Sequence, residues 1–217
     1  IERTWSITVG AFSMIIIGLT GGIASGKSTV AGWIRETGIV IHDADAVVHS
    51  LLAANGQAVV KIISTFGQDI RASDGGIDRK KLGEHVFANP ADRKTLESIL
   101  HPLVRKHRDQ FLKEQRRLGS QIVVLDVPLL YETGGDELCD YVIVVSASEE
   151  TIRCRALSRL GMTASKLSGI LATQMPASEK CQRADFVLDT ELDPGINRQH
   201  LLSWLDQITA ALDKSKR

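Results

Sequence analysis

Gly21-Gly22-Ile23-Ala24-Ser25-Gly26-Lys27-Ser28-Thr29 follows the spacing G-x-x-x-x-G-K-[ST], a pattern suited to holding an anion. Glycines at both ends let consecutive backbone N–H groups turn inward around phosphate oxygens with no Cβ in the way. Lys27 is then the cation for β- and γ-phosphates, and the Ser28 hydroxyl is a ligand for a magnesium ion carried by them. A helix beginning at Ser28 adds the partial positive charge of its N-terminus behind the anion. A glycine-rich strand-to-helix turn ending by chance in Lys-Ser is the plainer alternative. It is disfavoured because the apolar run Ile15-Ile16-Ile17 precedes the loop, as a buried strand would.

Other chemistry-bearing residues lie just past further apolar runs. His42-Asp43-Ala44-Asp45 places two carboxylates at the opening of a helix. By themselves they read as N-caps, but beside a phosphate loop either could orient an attacking hydroxyl and take its proton, an effect of about 10²–10⁴-fold in rate. Asp126 opens Asp126-Val127-Pro128-Leu129-Leu130-Tyr131-Glu132, where phosphate-loop enzymes often keep an acidic group for magnesium or its water. A carboxylate in a local turn is its other reading. Leu129 and Leu130 are expected to be exposed enough to wall an organic substrate, with core packing as the competitor. Arg155 and Arg159 lie four apart on an expected helix from Ser148 to Leu160. They either pair with Glu149 or Glu150 or close over a transferring phosphoryl group. His42, His49, His85, His101, His107 and His200 show no metal-ligand spacing and read as structural.

The elements that must position these groups are short. Ile39-Val40-Ile41, Ile122-Val123-Val124-Leu125, Val142-Ile143-Val144-Val145 and Phe186-Val187-Leu188 join Ile15-Ile16-Ile17 as strands expected to be buried on both faces. Helical patterns between them predict an α/β fold: three layers around a doubly wound parallel sheet of five strands, with ligands beyond the strands' carboxyl ends. Residues 51–118 form a predicted helical insertion, because about eighty residues between strands are too many for a plain crossover. Asn89-Pro90 and His101-Pro102 are expected helix boundaries, with a cationic helix from Leu103 to Leu118. Ser148 and Thr163 are predicted N-caps, and the helix after Thr163 is expected to run through Gln174 to a stop at Met175-Pro176.

The 217 residues carry 26 basic and 26 acidic side chains, so no net field draws the chain to nucleic acid or a membrane. Cys139, Cys154 and Cys181 are odd in number and form no C-x-x-C pair, which suits a reducing compartment and argues against a zinc site. Ile7 to Leu19 is apolar enough to be mistaken for a secretory core, yet cleavage after it would destroy the phosphate loop. Residues 1–13 are expected to be an extension outside the fold, and residues 14–217 a single domain.

Taken together, Gly18 to Thr29, Gly38, Asp43-Ala44-Asp45, Phe87-Ala88-Asn89-Pro90, Leu100-His101-Pro102-Leu103 and Val127-Pro128-Leu129-Leu130-Tyr131-Glu132 resemble the dephospho-coenzyme A kinase family. The resemblance implies the P-loop kinase fold and a cytoplasmic enzyme. It implies transfer of the γ-phosphoryl group of ATP, with Mg²⁺, to the ribose 3′-hydroxyl of dephospho-CoA, and it points to no obligate protein partner. Carried over, Gly21, Gly22 and Ala24 to Thr29 hold ATP, Lys27 and Arg155 assist transfer, and Ser28 and Asp126 serve the metal. Asp45 matches the family's base. Asp43, His101, Leu129, Leu130 and Glu132 fall on substrate-binding motifs, Arg155 and Arg159 on lid arginines, and Lys180 on a basic position before the last strand. The nucleotide core would be 14–50, 119–150 and 184–217, the substrate insertion 51–118 and the lid 151–183. Another small nucleotide-like acceptor, or a nucleotide-binding switch, remains an alternative. The chain departs from the family at Ala24, where many relatives have Gly and where the change is expected to need a negative φ. It departs again at Asp189-Thr190-Glu191, where relatives commonly have Asn then Gly.

Overall fold

The computed structural model describes residues 14–215; the expected extension over 1–13 lies outside the described residues. The described residues form two compact units, one of 14–42 with 118–215 and one of Asp43–Arg117.

In the first unit β1 (Ile15–Gly21) is buried along its whole length. It pairs in parallel with β3 (Ile122–Asp126) on one side, Leu19 opposite Asp126, and with β4 (Tyr141–Ser146) on the other, Gly21 opposite Val145. With β2 (Val40–Asp43) and β5 (Phe186–Asp189) the order is β2-β3-β1-β4-β5, a parallel sheet with β1 at its centre. The expectation that all five strands are buried on both faces fails at the edges. Val40, Val187 and Asp189 are exposed, because an edge strand has a neighbour on one side only.

Helix α1 (Lys27–Glu36) lays Val30, Ala31 and Ile34 on one face of this sheet. The last helix, α9 (Pro194–Ser215), adds Leu201, Trp204, Leu205, Ile208 and Leu212 to the same cluster. Trp204 stacks on Phe186 at 4.9 Å and meets Tyr141 edge-on at 5.8 Å, tying β4 and β5 to α9. A second cluster holds Leu130, Tyr131, Val142, Val144 and Ala184. There Gly18 is required by space: a Cβ on it would come within 2.6 Å of Leu130 Cδ2.

The second unit has its own core. Val47, Leu51 and Leu52 of α2 (Ala44–Leu52) meet Val59 and Ile62 of α3 (Val59–Phe66). Leu82 of α4 (Arg79–Ala88) and Leu100 of α5 (Pro90–Leu118) complete it. The expected boundary at His101-Pro102 is not there, since Pro102 lies inside α5. Proline removes one backbone donor, but Leu96, Ile99 and Leu100 before it and Leu103 and Val104 after it pack on the same core, which carries the helix through.

Helix α6 (Glu149–Leu157) is capped by Ser148 through Thr151 N–H, and α7 (Ala164–Leu171) by Thr163 through Lys166 N–H, as predicted. Both stop short of the expected ends, so Arg159 lies in the turn after α6 and shares no helical face with Arg155. The short α8 (Ala177–Arg183) leads into β5.

Candidate active site

The loop from β1 to α1 is shaped by backbone geometry. Gly26 is the N-cap of α1 at φ 96° and offers no side chain to the helix's first N–H groups. Thr29 N–H turns back onto Gly26 O at 3.0 Å, which leaves the N–H groups of Lys27 and Ser28 with no partner inside the helix and the positive end of the helix dipole behind them, the arrangement that suits an anion. Ser25 N–H closes the turn onto Gly22 O at 3.2 Å, while Ser25 Oγ is buried with no hydrogen-bond partner among the described residues.

Ala24 has φ 58°, the left-handed region, so the expectation that alanine needs a negative φ here is wrong. Its side chain is buried with Ala156 of α6 and Leu167 of α7, and that packing offsets a strain of about 1–2 kcal/mol. The adjoining Ile23 N–H donates to Gln174 Oε1 at 3.1 Å, so the segment after α7 holds the loop's backbone while α6 and α7 pack its methyl group.

Lys27 Nζ lies 2.5 Å from Asp126 Oδ1, a carboxylate at the end of β3 that is 3 % exposed. The strand register explains the pairing: Asp126 sits beside Leu19 on β1, two residues before Gly21. The Ser28 hydroxyl is exposed on the first turn of α1. Among the described residues no group of three or more His, Cys, Asp or Glu side chains could hold a metal ion. One hydroxyl and one carboxylate nevertheless suit magnesium, which keeps several waters and takes other oxygens from substrate phosphates.

Past β3 the predicted substrate loop divides by role. Leu129 is half-buried, but Leu130 is 1 % exposed and belongs to the core, which corrects the expectation that both are exposed. Glu132 accepts Met175 N–H at 2.7 Å and pairs with Lys180 at 2.8 Å. Lys180, itself buried, also donates to Pro128 O at 3.2 Å, and Thr20 Oγ1 donates to the same carbonyl at 3.0 Å. These bonds fix the loop after β3 against α8 and β1. Beside them Tyr131 buries a hydroxyl with no partner among the described residues, its ring 4.3 Å from the Arg183 guanidinium; burial pushes its pKa up to about 12.

Arg155 turns away from Glu149 and Glu150. It donates from Nη1 to Thr190 Oγ1 at 2.8 Å and from Nη2 to Thr190 O at 3.0 Å. Arg159 is exposed and makes no side-chain hydrogen bond or ion pair among the described residues. Sequence reasoning singles out neither Thr190 nor Gln174 as a functional residue. The signal for Thr190 is its departure from the family pattern; Gln174 has none beyond its place before the Met175-Pro176 break.

In the second unit Asp43 is the N-cap of α2 and accepts Ala46 N–H at 2.9 Å. Asp45 is exposed in the first turn of that helix and makes no side-chain contact of this kind among the described residues. His101 is exposed on α5.

Comparison with known proteins agrees with this geometry. The family model described as dephospho-CoA kinase (CoaE) matches residues 15–193. The dephospho-CoA kinase of Mesorhizobium japonicum is 48 % identical over 177 residues, 82 % of this chain and 88 % of that protein. That of Paramagnetospirillum magneticum is 48 % identical over 167 residues, covering 77 % and 78 %. Among solved structures, a Thermus thermophilus protein superposes with a TM-score of 0.71 at 31 % identity, covering 92 % of this chain and 98 % of its own. The phosphate loop with its paired lysine, the parallel sheet around it and these matches along most of the chain establish that the protein belongs to the dephospho-CoA kinase family.

Proposed function

We propose that the protein transfers the γ-phosphoryl group of ATP to the ribose 3′-hydroxyl of dephospho-CoA, giving coenzyme A and ADP. The observation that carries this reading is the match of the dephospho-CoA kinase model over residues 15–193, which spans the loop with its uncapped helix and paired lysine. The N–H groups of Gly26, Lys27 and Ser28 bind the phosphate chain, and Lys27 exchanges Asp126 for phosphate oxygens. Ser28 and Asp126 would hold Mg²⁺, which would supply charge neutralisation at the β- and γ-phosphates. Asp45, unoccupied by capping, accepts the proton of the attacking hydroxyl, while Asp43 keeps its helix cap. Arg155 and Arg159 balance charge on the phosphoryl group in transit. His101, Leu129 and Glu132 serve the acceptor side, Glu132 by holding its loop in place through Lys180 and Met175 N–H. In this reading 14–50, 119–150 and 184–217 form the nucleotide core, 51–118 the acceptor insertion and 151–183 the lid.

ATP and dephospho-CoA are the partners required, and the cytoplasm is the expected setting. Among the described residues no helix is long and apolar enough to cross a membrane. A screen of ribose-bearing acceptors with ATP and Mg²⁺ tests the proposal. Dephospho-CoA is expected to give the highest kcat/KM, and preference for another nucleotide or nucleoside overturns it.

A further inference from the structure

We propose that Thr190 is a positioning residue that fixes, through one hydroxyl, both the Arg155 guanidinium and the direction of the Gly26 N–H in the phosphate loop. The inference deepens the ATP-binding part of the function proposed above and rests on that part alone.

Thr190 follows β5, and its own N–H is taken by Ser146 O at 2.9 Å. Its Oγ1 lies 2.8 Å from Ser25 O and 3.2 Å from Ser146 O. A hydroxyl has one proton and two lone pairs. The contact to Ser25 O is the shorter by 0.4 Å and takes the proton: Thr190 donates to Ser25 O and accepts from Arg155 Nη1. The Thr190 carbonyl accepts from Nη2, so both arms of the guanidinium are anchored on one residue.

In a trans peptide the C=O and N–H point in opposite directions. Holding Ser25 O toward Thr190 therefore turns the Gly26 N–H away from Thr190, and in the reading above toward the phosphates. The Thr190 methyl closes the near side, lying 3.1 Å from where a Gly26 Cβ would stand. Glu191 pins the next residue: the Ser148 and Thr151 hydroxyls lie 2.5 Å from its carboxylate and hold its pKa below the usual range. The segment after β5 is thus tied to α6 at Ser148, Thr151 and Arg155 and to the loop at Ser25. A phosphate donor and a cation on separate elements are set by the same side chain.

Thr190→Val keeps shape and removes the hydroxyl; Thr190→Ser keeps the hydroxyl. ATP binding is measured by calorimetry without acceptor on both variants, on Arg155→Ala and on the Arg155→Ala/Thr190→Val double variant, with thermal melts alongside. Thr190→Val is expected to weaken ATP binding about tenfold, as loss of hydrogen bonds to charged groups does, with Thr190→Ser within about twofold of the parent. In the double variant the two losses are expected to be less than multiplicative. Equal defects in the Val and Ser variants, unchanged affinity in Thr190→Val, or fully multiplicative losses overturn the assignment. Because no acceptor is present, failure of dephospho-CoA as substrate leaves this result standing, and the two proposals fail separately.

Discussion

Lys27 Nζ and Asp126 Oδ1 are 2.5 Å apart, with side chains 17 % and 4 % exposed, so the lysine of the phosphate loop is already paired before any anion arrives. Removing one member strands the other in a poorly solvated place. Lys27→Ala is expected to abolish transfer and to lower stability by about 3 kcal/mol, the scale for breaking a buried ion pair. Urea denaturation beside a kinase assay checks both, and an unchanged midpoint would show that the pair contributes nothing to folding.

Asp45 and Asp43 differ in what already occupies them. Asp45→Asn is expected to keep ATP binding and lose about 10²–10⁴ in kcat, the range of a general base. Asp43→Asn preserves a good cap and should cost little stability, whereas Asp43→Ala should cost about 1 kcal/mol. Steady-state kinetics on the two Asn variants decides: a larger loss of kcat at Asp43 reverses their roles.

At Ala24 the backbone strain and the buried methyl oppose each other. Ala24→Gly relieves φ 58° but gives up the contact with Ala156 and Leu167, and glycine loses more entropy on folding. The net change is expected to stay within about 1 kcal/mol. Ala24→Val adds a β-branched side chain at positive φ and should be worse by at least about 2 kcal/mol. Chemical denaturation of the three proteins gives the order; equal stability of the Val variant would remove the strain argument.

Burial pushes the Tyr131 hydroxyl up to about 12 from its ordinary 10.0. A group whose pKa is raised by folding contributes its full stabilisation below the unfolded value and loses it as pH rises through the folded one. Stability should therefore fall between about pH 10 and about pH 12. Tyr131→Phe should flatten that decline and leave neutral-pH stability equal or higher, since the hydroxyl it removes has no partner among the described residues. Thermal melts across that pH range are the measurement.

Glu132 and Lys180 form a second buried pair, one that also holds Pro128 O and Met175 N–H. Lys180→Ala leaves the carboxylate unpaired and should cost about 3–5 kcal/mol. Lys180→Ala/Glu132→Gln should recover part of that loss. No recovery in urea denaturation would mean that the pair is uncoupled.

The centre of this molecule is legible from sequence because local rules govern it. Ile15 to Ile17 could only be a buried strand, the glycine spacing marks the loop, and Ser148 and Thr163 cap helices through their own next turns. Where distant partners decide, local reading fails. Pro102 looks like a stop until its helix is seen packed on both sides of it. Leu130 looks like a substrate wall until Gly18 makes room for it in the core. Arg155 has two candidate partners within its own helix, yet it reaches a threonine thirty-five residues on.

The position of β1 has a consequence for how the chain is made. Both neighbours of this central strand arrive late: β3 more than a hundred residues downstream, and β4 later still. The intervening unit, Asp43–Arg117, closes on contacts among its own residues. During synthesis the insertion can fold first, while Ile15 to Gly21 waits as an unpaired, largely apolar segment until Ser146 has left the ribosome. This waiting apolar stretch leads directly into the phosphate loop, so chaperone dependence and loss of activity should rise together when translation stalls before β4.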